Sequence, residues 1–166
     1  QMLLSGTASG VMGASSIAMQ TKVPMAMSLD IGGTSADVAI INSGEPQFGT
    51  GELIGEFPIY IPSVSVSSIG EGGGSIAWID EQGVLKVGPE SAGSTPGPAC
   101  YGKGGLNPTI TDALVVLGYL GKSELGYSAV QIDSGLAHQA ISRLASNLSM
   151  TAEEVAEAIV RIAVSG

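Results

Sequence analysis

Met25–Asn42 reads MAMSLDIGGTSADVAIIN, with two apolar runs on either side of a glycine pair. Met25–Asp30 is typical of a buried strand, and Asp37–Asn42 is typical of a second one. The glycine pair between them permits backbone dihedrals that are closed to other residues. Two strands joined by a short glycine turn form a β-hairpin. The stretch therefore predicts a hairpin whose turn lies at Gly32–Ser35.

The same turn carries groups that suit an anion. Successive N–H groups in a glycine turn form an anion-binding nest, and Thr34 and Ser35 add hydroxyl donors. Asp30 ends the first strand, and its carboxylate suits a hydrated magnesium ion. The alternative is an ordinary hairpin turn with an acidic flank, and spacing alone leaves both interpretations open.

Composition excludes several classes of protein. Six basic residues against fifteen acidic ones give a net charge of −9 without a basic patch, which argues against nucleic acid as a partner. The single cysteine excludes an internal disulfide, and the single histidine excludes most His/Cys zinc sites. No apolar run approaches the roughly 20 residues that span a bilayer, so no membrane partner is expected.

The chain divides by composition into three parts of one predicted fragment. Residues 1–68 are a sheet with the candidate phosphate loop, 69–108 are a glycine- and proline-rich block with a hairpin, and 109–166 are helical. A turn is predicted at 43–46, and one or two strands interrupted by Pro58 are predicted in 47–61. The class is therefore mixed α/β. Because the chain begins at Gln1 without a methionine and stops inside a helical pattern, we expect a piece of a larger protein.

Three helices are predicted near the end of the chain. The first begins near Thr109–Asp112, with Leu114, Leu117 and Leu120 as its apolar stripe. Asp133 or Ser134 caps the second, and a capping box formed by Thr151 and Glu154 starts the third. His138 falls outside the apolar stripe of its helix, so a solvated surface position is predicted.

Three other features permit more than one interpretation. The glycine run at Gly72–Gly74 is either a flexible hinge or a loop whose backbone touches a nucleotide or another domain. Cys100 lies in a loop of alternating proline and glycine, where a buried structural thiol is favoured over a nucleophile. Asp112 suits a helix N-terminus, and a functional contact remains open for it.

The order of four segments resembles that of the hydantoinase A / 5-oxoprolinase family. They are DIGGTSADVAII, GEGGGSIAWID, VGPESAGSTPGPACYGKGG and PTITDALVVLGYL, preceded by SGTASGVMGA, which is similar to the family's SGPAGGV segment. Members are large ATP-dependent enzymes that open cyclic amides, and relatives carboxylate ketones. Their fold resembles that of the actin-like ATPases, with two RNase H-like lobes, and the match is to the phosphate hairpin of the C-terminal lobe.

The resemblance implies ATP and Mg²⁺ as cofactors and assigns roles to individual residues. Asp30 and Asp37 are the candidate catalytic residues, and Asp30 faces the metal. The implied nucleotide-binding residues are Gly32, Gly33, Thr34, Ser35, Gly72 and Gly73. Four residues depart from the family pattern: Thr7, Ser9, Ala36 and Glu71. The Glu71 charge disfavours phosphate contact by its loop.

The expected activity is that of an ATP-dependent hydrolase that opens hydantoin- or 5-oxoproline-type rings after phosphate activation of the amide. The alternatives are a subunit of an ATP-dependent ketone carboxylase of the acetone type, or an excised fragment without activity of its own. Expected partners are the nucleotide, the small cyclic-amide substrate, the remainder of the polypeptide and a hydantoinase B-type subunit or domain. A cytoplasmic location is expected.

Overall fold

The computed structural model describes residues 5–49, 52–54, 57–59, 63–70, 72–120 and 131–165. Within these ranges lie four α-helices: α1 Ser5–Thr21, α2 Ile110–Val116, α3 Ser134–Leu148 and α4 Ala152–Ala163. The strands are β1 Met25–Ile31, β2 Ala36–Asn42, β3 Glu45–Pro46, β4 Phe48–Gly49, β5 Glu52–Ile54, β6 Phe57–Ile59, β7 Ser63–Val64, β8 Ser67–Ile69, β9 Ser75–Ile79 and β10 Leu85–Ser91. The predicted mixed α/β class is confirmed.

The chain separates into two compact units. One comprises Gln1–Ile31 with Ala36–Ile69, and the other comprises Gly32–Ser35 with Gly70–Gly166. The turn that links β1 to β2 therefore belongs to the second unit, although both strands belong to the first. The three-part organisation predicted from composition stays a prediction.

The first unit is built on an antiparallel sheet. β1 and β2 pair along their full length, from Met25 opposite Asn42 to Ile31 opposite Ala36, which confirms the predicted hairpin. β3 and β8 both pair with β2, so β1 is an outer strand among the described strands. α1 packs on this sheet through Val11, Ala18, Ala39 and Ile41.

β1 is not the buried strand that its apolar run predicts, because one side of it is apolar and exposed. Met25, Met27, Leu29 and Ile31 alternate along the strand and are 54–72% exposed. Alternate residues of a strand lie on one face of the sheet. The outer strand of the first unit therefore presents an exposed apolar strip. An unpaired strand edge together with exposed apolar side chains is typical of an interaction surface.

Two details of the first unit differ from the prediction. The turn predicted at 43–46 is shorter, because Glu45 and Pro46 pair with Asn42 and Ile41 as β3. Pro58 does not interrupt a strand. It lies inside β6 opposite Leu53, where β6 pairs with β5. Proline is tolerated in a strand that does not need its N–H for a ladder bond.

The second unit packs three helices against the β9–β10 hairpin. Its core includes Ala113, Ile141, Val155 and Ile159, each without exposed surface. The predicted capping box of Thr151 and Glu154 is present, and Asp133 caps α3. Within the described ranges, no helix has the length and hydropathy to cross a membrane.

The apolar stripe predicted for the first of these helices is wrong. α2 ends at Val116, so Leu117 and Leu120 lie beyond it. Gly118, with a φ of 76°, follows the helix end. The residues of α2 that are buried are instead Thr111, Asp112, Ala113 and Val115. Two of these are polar, which is why hydrophobic spacing did not identify the buried side.

Candidate functional site

In the turn Gly32–Ser35, three carbonyl groups accept hydrogen bonds within the protein, whereas three of the four N–H groups do not donate to any part of it that the structure describes. The Gly32 N–H donates to the Ser35 carbonyl at 2.8 Å and closes the turn. The Gly32 and Gly33 carbonyls accept from the N–H groups of Gly73 and Gly74, at 2.9 and 2.7 Å. Among the described residues, no acceptor meets the N–H of Gly33, Thr34 or Ser35. Gly33 and Thr34 are exposed, so this turn fits an anion such as phosphate.

The glycine run supports the turn through backbone contacts. The N–H of Gly72 donates to the Ser75 hydroxyl at 3.0 Å, and that of Gly73 donates to Gly32. Both N–H groups implied to bind nucleotide are therefore already engaged within the protein. Nucleotide contact by Gly72 and Gly73 stays a prediction, and Glu71 lies outside the described residues.

The two candidate catalytic carboxylates face each other across the hairpin. Asp30 lies directly opposite Asp37 in the register of β1 and β2. Asp30 is exposed, whereas Asp37 is half-buried. Opposed like charges in an antiparallel pair are destabilising. The pairing is therefore unfavourable for the sheet itself and suits a cation.

Two hydroxyl groups hold Asp37 in place. The Thr7 hydroxyl donates to Oδ2 at 3.0 Å, and the Ser68 hydroxyl donates to Oδ1. Thr7 comes from α1 and Ser68 from β8, where it lies opposite Asp37. Each oxygen of the Asp37 carboxylate thus has a hydroxyl partner, and both donors belong to the first unit.

The carboxylate pair fits magnesium better than a metal held by protein ligands alone. Mg²⁺ is usually bound by one or two carboxylates together with waters and phosphate oxygens. Within the described ranges, no three or more His, Cys, Asp or Glu residues form a metal-binding group. The donor set of Asp30 and Asp37 matches the first pattern, and the magnesium role stays a prediction.

Asp112 organises the loop that contains the cysteine. It has no exposed surface and accepts from the N–H groups of Ala99, Cys100 and Thr109, and also from the Thr109 hydroxyl. The bonds to Thr109 form a capping box at the start of α2. A carboxylate with four protein donors has a structural function here. The sequence predicted a helix N-terminus at Asp112, but not its bonds with the loop at Ala99 and Cys100.

Cys100 is buried, as predicted for a structural thiol. It has no exposed surface. Burial, followed by the negative charge of Asp112, raises the pKa of the Cys100 thiol above its ordinary value. A thiolate is the reactive form of cysteine, so these surroundings disfavour a nucleophile.

His138 is exposed, as predicted. Its Nε2 lies 3.3 Å from Glu153 Oε1. The pKa of Glu153 is lowered, first because its carboxylate accepts a hydrogen bond from its own backbone N–H, and second because of the hydrogen bond with His138. This exposed pair joins α3 to α4 and lies on the helical side of the second unit.

Three hydroxyl residues, two in the first unit and one in the second, had no sequence signal strong enough to identify their partners. Thr7 and Ser68 each donate a hydroxyl hydrogen bond to the Asp37 carboxylate, and Thr111 donates one to the Gly73 carbonyl. Serine and threonine are common in turns and caps, so their function depends on partners about 30 or more residues away. The departure of Thr7 from the family pattern was the one available clue.

The profile of the Hydantoinase/oxoprolinase family matches residues 1–166. The chain belongs to this family. Its resemblance to hydantoinase A and 5-oxoprolinase, stated from the order of its motifs, is confirmed.

Similar proteins include ATP-dependent enzymes with two kinds of activity. The caprolactamase subunit alpha of Pseudomonas jessenii is 38% identical over 159 residues, which cover 95% of this chain and 23% of that subunit. The crystal structure of the ATP-dependent caprolactamase of the same organism matches with a TM-score of 0.81 and 37% identity, over 97% of this chain and 23% of that one. A nucleotide-free acetone carboxylase, a protein of ATP-dependent acetone carboxylation, matches with a TM-score of 0.78 and 31% identity, over 94% and 22%.

The chain spans about a quarter of the length of these relatives. The fold of this quarter is shared by a lactamase and a carboxylase. The activity and the substrate of this protein therefore do not follow from the similarity alone.

Proposed function

We propose that this chain forms part of the nucleotide site of an ATP-dependent hydrolase that opens cyclic amides. The observation that carries the proposal is the exposed turn Gly32–Ser35, whose N–H groups at Gly33, Thr34 and Ser35 lack acceptors among the described residues. Membership of the Hydantoinase/oxoprolinase family supports ATP as the source of the phosphate. The relation to an ATP-dependent caprolactamase supports a cyclic amide as substrate.

The turn would bind phosphate oxygens through backbone and hydroxyl donors together. N–H groups fixed in one orientation stabilise negative charge without reorganisation when that charge increases. The hydroxyls of Thr34 and Ser35 add donors at the same place. The carbonyls of the turn that are bonded within the protein do not compete with the anion.

Asp30 and Asp37 would hold the magnesium ion that accompanies the nucleotide. The Asp30 side chain is exposed, and its carboxylate has no hydrogen-bond partner among the described residues, so its oxygens are available to a hydrated ion. Asp37 is fixed by Thr7 and Ser68 and offers its remaining lone pairs. When bound, ATP supplies the phosphoryl group that activates the amide oxygen, and magnesium neutralises charge on the phosphate oxygens.

A ketone carboxylase of the acetone type is the second candidate function. The specific observation in its favour is the match to acetone carboxylase at a TM-score of 0.78, close to the 0.81 for caprolactamase. The phosphate chemistry of the turn serves both reactions, since each requires activation of an oxygen atom. The two candidates differ in the acceptor of the phosphoryl group and in the bond formed or broken afterwards.

The remainder of the polypeptide is the first partner that we propose. The exposed strip of Met25, Met27, Leu29 and Ile31 is an apolar surface on the outer strand β1. The caprolactamase relative has about three quarters of its length outside the matched region, and this additional chain could cover the strip. A hydantoinase B-type subunit or domain is the second partner, supported by the description of the caprolactamase relative as subunit alpha. An enzyme that consumes ATP works where ATP is available, which supports a cytoplasmic location.

The proposal is tested by ADP release from the whole protein with Mg²⁺-ATP. ADP release that depends on an added lactam or hydantoin, together with formation of the ring-opened product, supports a cyclic-amide hydrolase. Release that depends on a ketone and bicarbonate supports the carboxylase instead. An absence of ATP turnover with every substrate contradicts both.

A further inference from the structure

We infer that the loop Gly72–Gly74, held by Thr111, is a positioning platform that keeps the N–H groups of Gly33 and Thr34, in the turn Gly32–Ser35, pointing away from this loop. The inference rests on the proposed function, because it assigns those N–H groups to phosphate. It gives the glycine run a different task from the nucleotide contact that its sequence suggested. All of these residues belong to the second unit.

Two hydrogen bonds define the orientation of the turn. The Gly32 carbonyl accepts from the Gly73 N–H at 2.9 Å, and the Gly33 carbonyl accepts from the Gly74 N–H at 2.7 Å. In a planar trans peptide, the C=O of one residue and the N–H of the next point in opposite directions. The N–H groups of Gly33 and Thr34 therefore point away from the loop. The platform thus selects which side of the turn presents donors.

The platform requires glycine because the two backbones nearly touch. A Cβ on Gly72 would lie 2.6 Å from the Ser35 nitrogen and 2.7 Å from the Gly32 oxygen. A Cβ on Gly74 would lie 2.5 Å from the Gly33 oxygen. These obstacles are backbone atoms, which cannot rotate aside as the end of a side chain can. A single methyl group would displace the turn itself.

Thr111 connects the platform to the core of the second unit. Its N–H and its hydroxyl both donate to the Gly73 carbonyl, each at 2.8 Å. Thr111 is 6% exposed and lies in the first turn of α2, next to the fully buried Asp112 and Ala113. The position of the turn is therefore set from the helical core through Thr111 and Gly73. Ser91 adds a weaker bond of 3.4 Å from its hydroxyl to the Gly33 carbonyl.

Two pairs of variants in the whole protein test this inference. Gly72→Ala is compared with Gly70→Ala, because a Cβ on Gly70 meets nothing within 4 Å. Thr111→Val removes the hydroxyl, whereas Thr111→Ser retains it. The affinity for Mg²⁺-ATP is measured by calorimetry, and the melting temperature is measured for each variant.

We expect Gly72→Ala and Thr111→Val to weaken ATP binding by about tenfold or more, the scale of losing one well-placed hydrogen bond. Gly70→Ala and Thr111→Ser should bind ATP like the wild type. If Gly72→Ala does not fold, the Thr111 pair decides.

Equal ATP affinity in Thr111→Val and Thr111→Ser, with a lower melting temperature in the former, would show a merely structural function and overturn the inference. Equal affinity in folded Gly72→Ala and Gly70→Ala would overturn it as well. A wild-type protein that does not bind ATP would overturn the proposed function, and the inference with it.

Discussion

Asp30 and Asp37 lie directly opposite each other in the antiparallel ladder of β1 and β2. Opposed residues of such a ladder have Cβ atoms about 4.5–5.5 Å apart, and two like charges there cost stability. Asp37 is fixed by hydroxyl donors on both of its oxygens, whereas Asp30 is exposed. The pair therefore combines one fixed and one accessible carboxylate, which suits a divalent cation.

Asp30→Asn in the whole protein should separate activity from stability. Asparagine keeps the shape of the side chain and removes its charge. We expect turnover to fall by about 10²-fold or more, the scale of losing one electrostatic stabiliser. We also expect the free energy of unfolding without metal to rise by up to about 1 kcal/mol, because the repulsion with Asp37 is removed.

The measurement is turnover and melting temperature of Asp30→Asn in the same preparation. If Asp30 merely caps the hairpin, the variant will melt at a lower temperature and retain near-normal specific activity. That combination would contradict the metal role.

Thr7→Val should loosen Asp37 without changing the shape of α1. The lost hydrogen bond of 3.0 Å should cost about 1 kcal/mol of stability. If Asp37 helps to hold magnesium, the concentration of Mg²⁺ needed for half-maximal turnover should also rise. Thr7→Ser keeps the hydroxyl and is the matched control. A loss of stability with an unchanged magnesium requirement would show that Thr7 only anchors α1 to the sheet and does not position Asp37 for the metal.

The hairpin was predictable because its signals are local. Two apolar runs, a glycine pair and hydroxyl residues within Met25–Asn42 are enough to determine strand, turn and strand. The capping box of Thr151 and Glu154 was predictable for the same reason, since its two residues lie three positions apart.

The functions of the glycine run at Gly72–Gly74 and of Asp112 were not predictable from the sequence. Gly73 and Gly74 bond to Gly32 and Gly33, about 40 residues away. Glycine permits close packing and ligand contact equally well, so the residue type cannot distinguish them. Asp112 likewise has two of its donors at Ala99 and Cys100. Such pairings arise from tertiary packing, which local patterns do not record.

Cys100 should be dispensable for catalysis and unreactive in the folded protein. Cys100→Ala in the whole protein should retain most of its turnover, because the thiol is buried and its pKa is raised. A loss of about 10³-fold or more, the scale expected for a nucleophile, would show a catalytic function.

The pH dependence of stability provides an independent check on Cys100. Because the pKa of the thiol is higher in the folded state than in the unfolded one, its contribution is fully present below the unfolded pKa of about 8.5 and is lost as pH rises above it. The unfolded thiol titrates between about pH 8 and 10. Over this range the free energy of unfolding of the wild type should therefore fall more steeply than that of Cys100→Ala. Parallel curves would contradict the raised pKa.

The 166-residue chain alone should bind ATP weakly or not at all and should not turn over. It spans about a quarter of its relatives, and a nucleotide cleft needs donors from more than one turn. Calorimetry with Mg²⁺-ATP tests this on the isolated chain. Low-micromolar affinity would show that Gly32–Ser35 and its neighbours form a complete nucleotide site.

The most direct test of the central claim is the substrate dependence of ATP turnover by the whole protein. ADP release is measured with 5-oxoproline, hydantoin and caprolactam, and separately with acetone plus bicarbonate, each against a reaction without substrate. We predict that a cyclic amide raises ADP release and is converted to its ring-opened product in proportion, whereas acetone with bicarbonate has no effect. Stimulation by acetone and bicarbonate with no response to any cyclic amide would contradict the proposed ring-opening activity.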